Sequence, residues 1–245
     1  MRKHLFKWYW KLERLIHPGL RYSQSHYRDL LDARVVPNCD WLELGCGHQM
    51  FASWMQKEER ELAARSRRLI GIDLDMRGLK ENAVTDHSVF GDVGALPFAE
   101  GSFDLVTANM VVEHLEDPDA VLESVRRVLR PGGLFIFHTP NRNCAVMTIA
   151  RIVPQFVKNW LALLLEEREE KDVFPTRYAM NDSEAIIRHA RSAGFAVREI
   201  RSVSTSATTA LITPLCIIEL LYLRLLERPA FAGLRSNLIA TLERS

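Results

Sequence analysis

Trp41-Leu42-Glu43-Leu44-Gly45-Cys46-Gly47-His48-Gln49-Met50 is the stretch whose reading decides the fold. Trp41, Leu42 and Leu44 make a short apolar run that reads as a buried strand. Two glycines follow at once, and an amphipathic run begins at Met50. Strand, glycine turn and helix start are the parts of a βα unit with room for a ligand. Without a Cβ at Gly45 and Gly47 the backbone can approach a bound molecule closely. N–H groups opening a helix there would add positive potential for an anionic group. Glu43 stands just before the turn and aims a carboxylate at whatever occupies it. The plain alternative is an ordinary βα connection, and this stretch alone does not choose between the two.

Downstream, a helix is predicted from Met50 to about Arg67. Phe51, Trp54, Met55 and Leu62 would be its apolar face, and the charged run Lys57 to Arg68 a solvated one. Arg68 to Asp75 reads as a second strand ending in acid. A carboxylate at that place in an α/β nucleotide-binding fold can accept from both ribose hydroxyls. Asp75 suits the N-cap of the next helix, which leaves Asp73 for the ribose. Ser88 to Phe90 is a third strand, followed by Gly91-Asp92. Asp92 either accepts from an exocyclic amine or shapes a turn. Phe103 to Ala108 is a strongly apolar fourth strand, and Asn109 follows it. Asp117-Pro118 opens a helix with proline in its first turn. Val121, Leu122, Val125, Val128 and Leu129 are its buried face. Arg130-Pro131-Gly132-Gly133 stops it, and Leu134 to Phe137 is a fifth strand. His138 then sits at that strand's carboxyl end, where open α/β sheets place their ligands. A helix over Ser183 to Ala193 and strands at Phe195 to Ile200 and Leu238 to Leu242 complete the pattern. The fold class is α/β, with a doubly wound, mostly parallel sheet of seven strands.

Upstream, Tyr22 to Ala33 reads as a helix. Before it, Leu5, Trp8, Leu12, Leu15 and Ile16 fall at helical spacing, with Arg2, Lys3, Lys7, Lys11 and Arg14 between them. Such a helix either lies on a membrane surface or packs on its own domain with a solvated basic face. His17-Pro18-Gly19 ends it. Cys144 to Leu165 and Leu211 to Leu226 are also apolar. The latter is too short and too interrupted to span a bilayer, which takes about 20 apolar residues. These segments form either a lid over the core or an interfacial surface. The 245 residues divide into an amphipathic helix at 1–20 and one α/β domain at 21–245. Within the domain, 21–141 is the core that carries the glycine turn, and 142–182 and 203–234 are insertions.

The formal net charge of +1 argues against nucleic acid as partner. Four cysteines without CxxC spacing point to reduced thiols rather than a disulfide framework, and no metal-ligand cluster stands out. The N-terminus does not read as a signal peptide, because charges run through its apolar positions. The expected location is cytoplasmic, peripheral at the inner face of the membrane if the first helix is interfacial.

Glu43-Leu44-Gly45-Cys46-Gly47, Gly71-Ile72-Asp73, Gly91-Asp92, Leu96-Pro97-Phe98, Ser102 to Val106, Glu113-His114-Leu115 and Leu129 to Gly133 occur in that order. Together they resemble a class I S-adenosylmethionine-dependent methyltransferase, and are most similar to the small-molecule group that includes quinone-biosynthesis C-methyltransferases. The likeness covers Tyr27 to Asn141 and continues more weakly through Phe174 to Phe195 and the last strand. It implies a Rossmann-like methyltransferase fold, S-adenosylmethionine as cofactor, S-adenosylhomocysteine as product, and a small-molecule or hydrophobic acceptor. By position, Gly45 and Gly47 would approach the cofactor's methionine and ribose portions. Glu43 would support the ammonium through water, and Asp73 would hold the ribose hydroxyls. Leu74 would pack on adenine, and Asp92 would accept from its amino group with the Val93 N–H nearby. Asn109 would line the methionine end, and Arg177 and Tyr178 the acceptor side. His114 and His138 are the candidate bases for the acceptor. Each has a structural alternative, His114 in holding the loop after the fourth strand and His138 in capping the fifth.

Two departures from the family stand out. Gln49 occupies the place of a third glycine, and the interval from Glu43 to Asp73 is long, with the surplus in Lys57 to Arg68. Gln49 motivates a second reading, a non-catalytic relative that serves as a membrane-associated binding or scaffold module. A nicotinamide-dependent oxidoreductase fits poorly, because the third glycine of G-x-G-x-x-G is missing and Asp73 lies too far along.

Overall fold

Residues 2–145, 147–148, 175–205 and 213–245 are described by a computed structural model of the chain. Two helices come first, α1 (Arg2–Ile16) and α2 (Ser23–Asp32). Then follow β1 (Asp40–Leu44), α3 (Gln56–Ala63), β2 (Arg68–Asp73), α4 (Met76–Glu81), β3 (His87–Phe90), β4 (Phe103–Asn109), α5 (Pro118–Val128) and β5 (Leu129–Pro140). The last elements are α6 (Ser183–Ser192), β6 (Phe195–Val203), α7 (Thr213–Leu226) and β7 (Asn237–Arg244).

The seven strands form one sheet in the order β3-β2-β1-β4-β5-β7-β6. β1 to β5 run parallel, and β7 is inserted antiparallel between β5 and β6. This is the mostly parallel, doubly wound sheet that the sequence predicts. The chain reverses its direction of winding between β1 and β4, so the crevice of this sheet lies at the carboxyl ends of those two strands.

Alternation along the central strands explains why they are apolar on both faces. Leu42 and Leu44 pack with Val106, Phe135, Leu122 and Val125 on one side of the sheet. Trp41 packs with Tyr27, Leu31, Leu69, Leu105 and Ile136 on the other. α5 covers the first face and α2 the second. Every residue of β1 is buried.

The helix predicted from Met50 to Arg67 is corrected by the structure. A short 3₁₀ turn spans Ser53–Met55, and α3 covers only Gln56–Ala63. Glu59, predicted on a solvated face, is 1% exposed, and its carboxylate accepts from the Met50 N–H at 2.5 Å. The Met50 carbonyl accepts from Asn109 Nδ2 at 2.6 Å. A residue held on both sides by distant side chains does not enter a helical ladder. The helix N-terminus therefore lies well beyond the glycine turn and gives no anion-binding end there. Phe51, Met55 and Leu62 are buried as predicted, whereas Trp54 is exposed and meets Tyr22 edge-on.

The predicted helix stop at Arg130-Pro131-Gly132-Gly133 is part of β5. Phe103 pairs with Leu129, and the register then shifts so that Leu105 pairs with Leu134, an irregularity that absorbs the glycines. β6 and β7 are longer than predicted because they pair with each other along most of their length. Apart from residues 144, 145, 147 and 148, the predicted apolar run Cys144 to Leu165 lies outside the described residues, as does the charged run Glu166 to Asp172.

At the amino edge of the sheet Asp40 is fully buried amid arginines. Arg67 pairs with it, Arg130 Nη2 lies at 2.8 Å and Arg68 Nε at 3.5 Å. Arg130 also reaches Asp104 at 2.5 Å, and Asp104 accepts from the Asp40 N–H at 2.9 Å. Burial alone would push the Asp40 carboxyl up; Arg67, Arg130 and Arg68 together hold it below its usual range.

α1 and α7 pack together beside the domain. Tyr9 meets the buried stripe Cys216, Leu220, Leu223 and Leu226. Arg224 Nη1 donates to the Ile16 carbonyl at 2.8 Å. The Tyr22 hydroxyl donates to Glu13 at 2.8 Å and ties α1 to the start of α2.

Candidate functional site

The turn after β1 is clipped to the end of β2. Gly45 has φ +63° and Gly47 φ +43°, both in the left-handed region that favours glycine. A Cβ at Gly45 would also strike the Val111 side chain. The Gly45 N–H donates to the Ile72 carbonyl at 2.8 Å, and the Gly47 N–H donates to Asp73 Oδ2 at 2.8 Å. A Cβ at Gly47 would stand in open space, with Asp73 Oδ2 its nearest neighbour at 4.0 Å.

Asp73 is half-buried, and its Oδ1 accepts from the Asp75 N–H at 2.7 Å. A carboxylate has about four acceptor positions, so roughly two remain for a diol. Asp75 is the N-cap of α4, as the sequence predicts, accepting from Arg77 and Gly78 N–H at 2.9 and 3.0 Å. Leu74 is 54% exposed, and Phe90, the register partner of Asp73 on β3, is 55% exposed. Asp92 is exposed, and its Oδ1 accepts from the Gly94 N–H at 2.8 Å, so it shapes the turn. Val93 packs against the central core. The carboxyl ends of β2 and β3 thus present two acids among apolar side chains.

Asn109, at the end of β4, joins three elements. Its amide pairs reciprocally with Gln24 of α2, Nδ2 donating at 2.9 Å and Oδ1 accepting at 3.2 Å. Nδ2 also donates to the Met50 carbonyl, and His138 Nδ1 donates to Oδ1 at 2.8 Å. All four hydrogen-bonding positions of this side chain are filled within the chain. Asn109 clamps the glycine-turn loop, α2 and β5 together.

Glu43 is 1% exposed, and its carboxylate accepts from the Thr107 hydroxyl, which in turn accepts from Trp41 Nε1. Burial lifts its pKa to about 8, although the Thr107 bond pulls the other way; the charge of Glu59 adds to the rise. The expectation that Glu43 aims at the turn is corrected. Alternation places residues 41 and 43 on the sheet face that α2 covers, so the carboxylate points into that layer. His138 is buried and stacks on Tyr27 with ring centroids 5.6 Å apart. Burial lowers its pKa to about 3, which makes it a neutral ring protonated at Nδ1. It caps β5 and braces α2, and its Nε2 is buried without a hydrogen-bond partner among the described residues.

Beyond β4, Met110 has φ +59° and Tyr178 φ +53°. Such conformations are costly for residues with side chains and cluster at functional sites. The Arg177 and Tyr178 N–H groups donate to the Glu113 carbonyl at 2.7 and 3.1 Å, and Arg177 pairs with Glu116 at 2.5 Å. Below them lies a buried polar chain. Asn181 Nδ2 donates to Thr139 Oγ1 at 2.6 Å, and Thr139 donates to the Glu113 carboxylate at 3.0 Å. Burial raises the Glu113 carboxyl above its usual range. His114 is half-buried, with Nδ1 at 3.1 Å from the Pro175 carbonyl. The end of the 142–182 region therefore meets the loop after β4, and His114, Arg177 and Tyr178 are neighbours.

Sequence reasoning did not find Phe90, Gln24, Thr107 or Glu59. Phe90 could have been suspected as an apolar residue immediately before Gly91-Asp92. The other three act through tertiary partners and carry no local signal. Among the described residues no group of three His, Cys, Asp or Glu side chains could hold a metal ion.

The residues present fit the nucleoside half of an adenosylmethionine molecule. Asp73 has acceptors to spare for ribose, Gly47 leaves open space beside it, and Leu74 and Phe90 offer apolar surface for a base. The fold is that of Rossmann-like methyltransferases. Residues 42–137 match the model of a methyltransferase domain, a family that implies S-adenosylmethionine as cofactor. The chain is 34% identical over 133 residues to a Mycolicibacterium smegmatis protein named a probable S-adenosylmethionine-dependent methyltransferase, an alignment covering 51% of this chain and 49% of that one. It is 30% identical over 128 residues to the ubiquinone biosynthesis O-methyltransferase of Chromobacterium violaceum, covering 49% and 52%. The chain thus spans about half the length of these curated relatives. That second name continues the quinone-biosynthesis likeness, with an O-methyltransferase where the sequence motifs resemble C-methyltransferases. An S-adenosylmethionine-dependent methyltransferase from Mesorhizobium loti superposes with a TM-score of 0.55 at 20% identity, covering 88% and 96%, which shows the fold alone.

Proposed function

We propose that this chain transfers a methyl group from S-adenosylmethionine to a small hydrophobic or lipid-linked acceptor by in-line displacement. The observation that carries the reading is Asp73, beside Gly47 at the carboxyl end of β2, with acceptor positions left for a diol. When bound, the cofactor supplies an electrophilic methyl on a sulfonium whose departure leaves a neutral thioether. The chain's own residues then have to orient the two partners and exclude water. Asp73 accepts from the ribose, Leu74 and Phe90 flank the base, and Asp92 offers its second oxygen, with the Val93 N–H, to the adenine edge. Gly45 and Gly47 permit close backbone approach. Glu43 and Asn109 act one layer back by fixing β1, β4 and the loop at Met50.

His114 is the remaining candidate for holding an acceptor proton, since its half-buried ring stands beside Arg177 and Tyr178. Of the regions 142–182 and 203–234, the described residues Arg177 and Tyr178 would stand on the acceptor side. Relatives named for ubiquinone biosynthesis support a hydrophobic acceptor. The location in this reading is cytoplasmic, peripheral at the inner face of the membrane. Calorimetric titration of the full chain with S-adenosylhomocysteine tests it. Binding in the micromolar range is expected, and absence of heat at millimolar ligand would favour the non-catalytic scaffold instead.

A further inference from the structure

α7 has apolar stripes on two opposite sides, separated by Glu219 and Arg224, yet among the described residues only one stripe is packed. Cys216, Leu220, Leu223 and Leu226 face α1. Leu215, Ile218, Leu221 and Leu225 form the opposite stripe and are exposed, Ile218 by 64%. A contiguous exposed apolar stripe of this kind marks an interaction surface. α1 repeats the pattern. Tyr9 is buried against α7, while Trp8 is 62% exposed and Trp10 and Leu15 are exposed as well. No helix among the described residues is long and apolar enough to cross a membrane.

Charge selects the occupant. α1 carries five basic residues and one carboxylate, in a chain whose formal net charge is +1, so the rest of the chain is net acidic. Lys11 and Arg14 are exposed on the same helix as Trp8 and Leu15, and Lys11 Nζ stands 5.4 Å from the centre of the Trp8 ring. Exposed tryptophans beside cations on a helix lying along a protein suit the headgroup layer of an anionic bilayer. A net acidic protein surface, or a second copy meeting the same basic helix, offers less: a symmetric contact would oppose like charges.

We infer that the outer face of the α1–α7 pair docks the protein on an anionic lipid surface. The inference rests on the proposed transfer to a hydrophobic acceptor, for which it names the phase that delivers the acceptor. Docking also bears on the site. Tyr22 to Glu13 fixes α1 to α2, and Gln24 of α2 pairs with Asn109 at the end of β4. The lipid-facing helices are thereby connected to the crevice by two successive hydrogen-bonded joints.

Co-sedimentation of the full chain with phosphatidylcholine vesicles, with and without phosphatidylglycerol, tests the inference in the absence of cofactor. The unaltered chain is expected to sediment with the anionic vesicles and to be released by salt. Lys11→Ala with Arg14→Ala should weaken partitioning about thirtyfold, at roughly 1 kcal/mol per cation. Trp8→Ala with Ile218→Ser should weaken it as well. Quenching of tryptophan fluorescence by brominated lipid in the unaltered chain reads the same contact without a variant. A folded chain that stays in the supernatant, binding unchanged in both double variants, or a dimer in solution that hides Trp8 would each overturn the proposal. Titration with S-adenosylhomocysteine without vesicles separates the two readings. Lost ligand binding with retained docking removes the methyl-transfer reading alone; the reverse removes the docking alone.

Discussion

Asp40 and Asp73 sit at opposite ends of neighbouring strands, Asp40 opening β1 and Asp73 closing β2. The first is fully buried with three arginines around it. The second is half-buried, holds two backbone N–H groups and, among the described residues, has no cationic partner within ion-pair distance. Charges at the amino edge are neutralised within the chain, and the side chains there can do little except hold the sheet together. At the carboxyl edge a carboxylate keeps acceptor capacity in reserve beside a glycine turn and exposed apolar side chains. The same residue type is structural where its hydrogen bonds are complete and available for a ligand where they are not.

The largest expected effect lies at the amino edge. Asp40→Ala removes the common partner of Arg67, Arg68 and Arg130. A loss of about 3 kcal/mol is expected, or a fall in melting temperature of roughly 6–10 °C by calorimetry, with S-adenosylhomocysteine affinity unchanged in the folded protein. Asp73→Ala should do the converse. Two hydrogen bonds to a charged acceptor correspond to roughly a hundredfold loss of S-adenosylhomocysteine affinity, with a melting temperature within a few degrees of the parent. An Asp73→Ala protein that binds normally, or one that unfolds as Asp40→Ala does, would erase the contrast between the two edges.

The smallest effect sharpens the comparison at Glu43, an acid buried on the sheet face that α2 covers. Burial lifts its pKa to about 8, so the native state keeps a proton that the unfolded chain loses near its ordinary value of 4.5. That stability is fully present below pH 4.5 and is lost as pH rises through 8. His138, lowered to about 3 from 6.5, runs the other way. Its contribution is present above pH 6.5 and is lost as pH falls through 3. The two slopes cancel between about pH 4.5 and 6.5, leaving a plateau. Between pH 6.5 and 8 only the Glu43 slope remains, a fall of about 2 kcal/mol across that window. Glu43→Gln should flatten it in denaturant titrations at stepped pH. A decline above pH 6.5 that persists in the variant would assign the effect to another group.

Local chemistry made much of this legible. β1, β4 and β5 carry apolar residues on both faces because helices cover both faces of the sheet, and Asp75 shows its cap through the residues that follow it. The glycine turn and the acid at the end of β2 were readable for the same reason: each needs only its neighbours in sequence. What failed depends on partners far along the chain. Met50 leaves the helical pattern because Glu59 and Asn109 hold it on both sides. The directions of Glu43 and His138 follow from which sheet face α2 covers, a fact of packing that no pattern within β1 or β5 contains. Periodicity places Trp54 inward, but the helix that would turn it inward begins after it.

Asn109 has a further consequence for how the crevice opens. One side chain fastens α2, the loop at Met50 and His138, so these parts do not fluctuate independently. Releasing Gln24 leaves the amide short of partners and weakens its hold on Met50 and His138 as well. The three segments thus form a single cooperative unit with one opening free energy, and amide hydrogens in α2 and in the loop should share it.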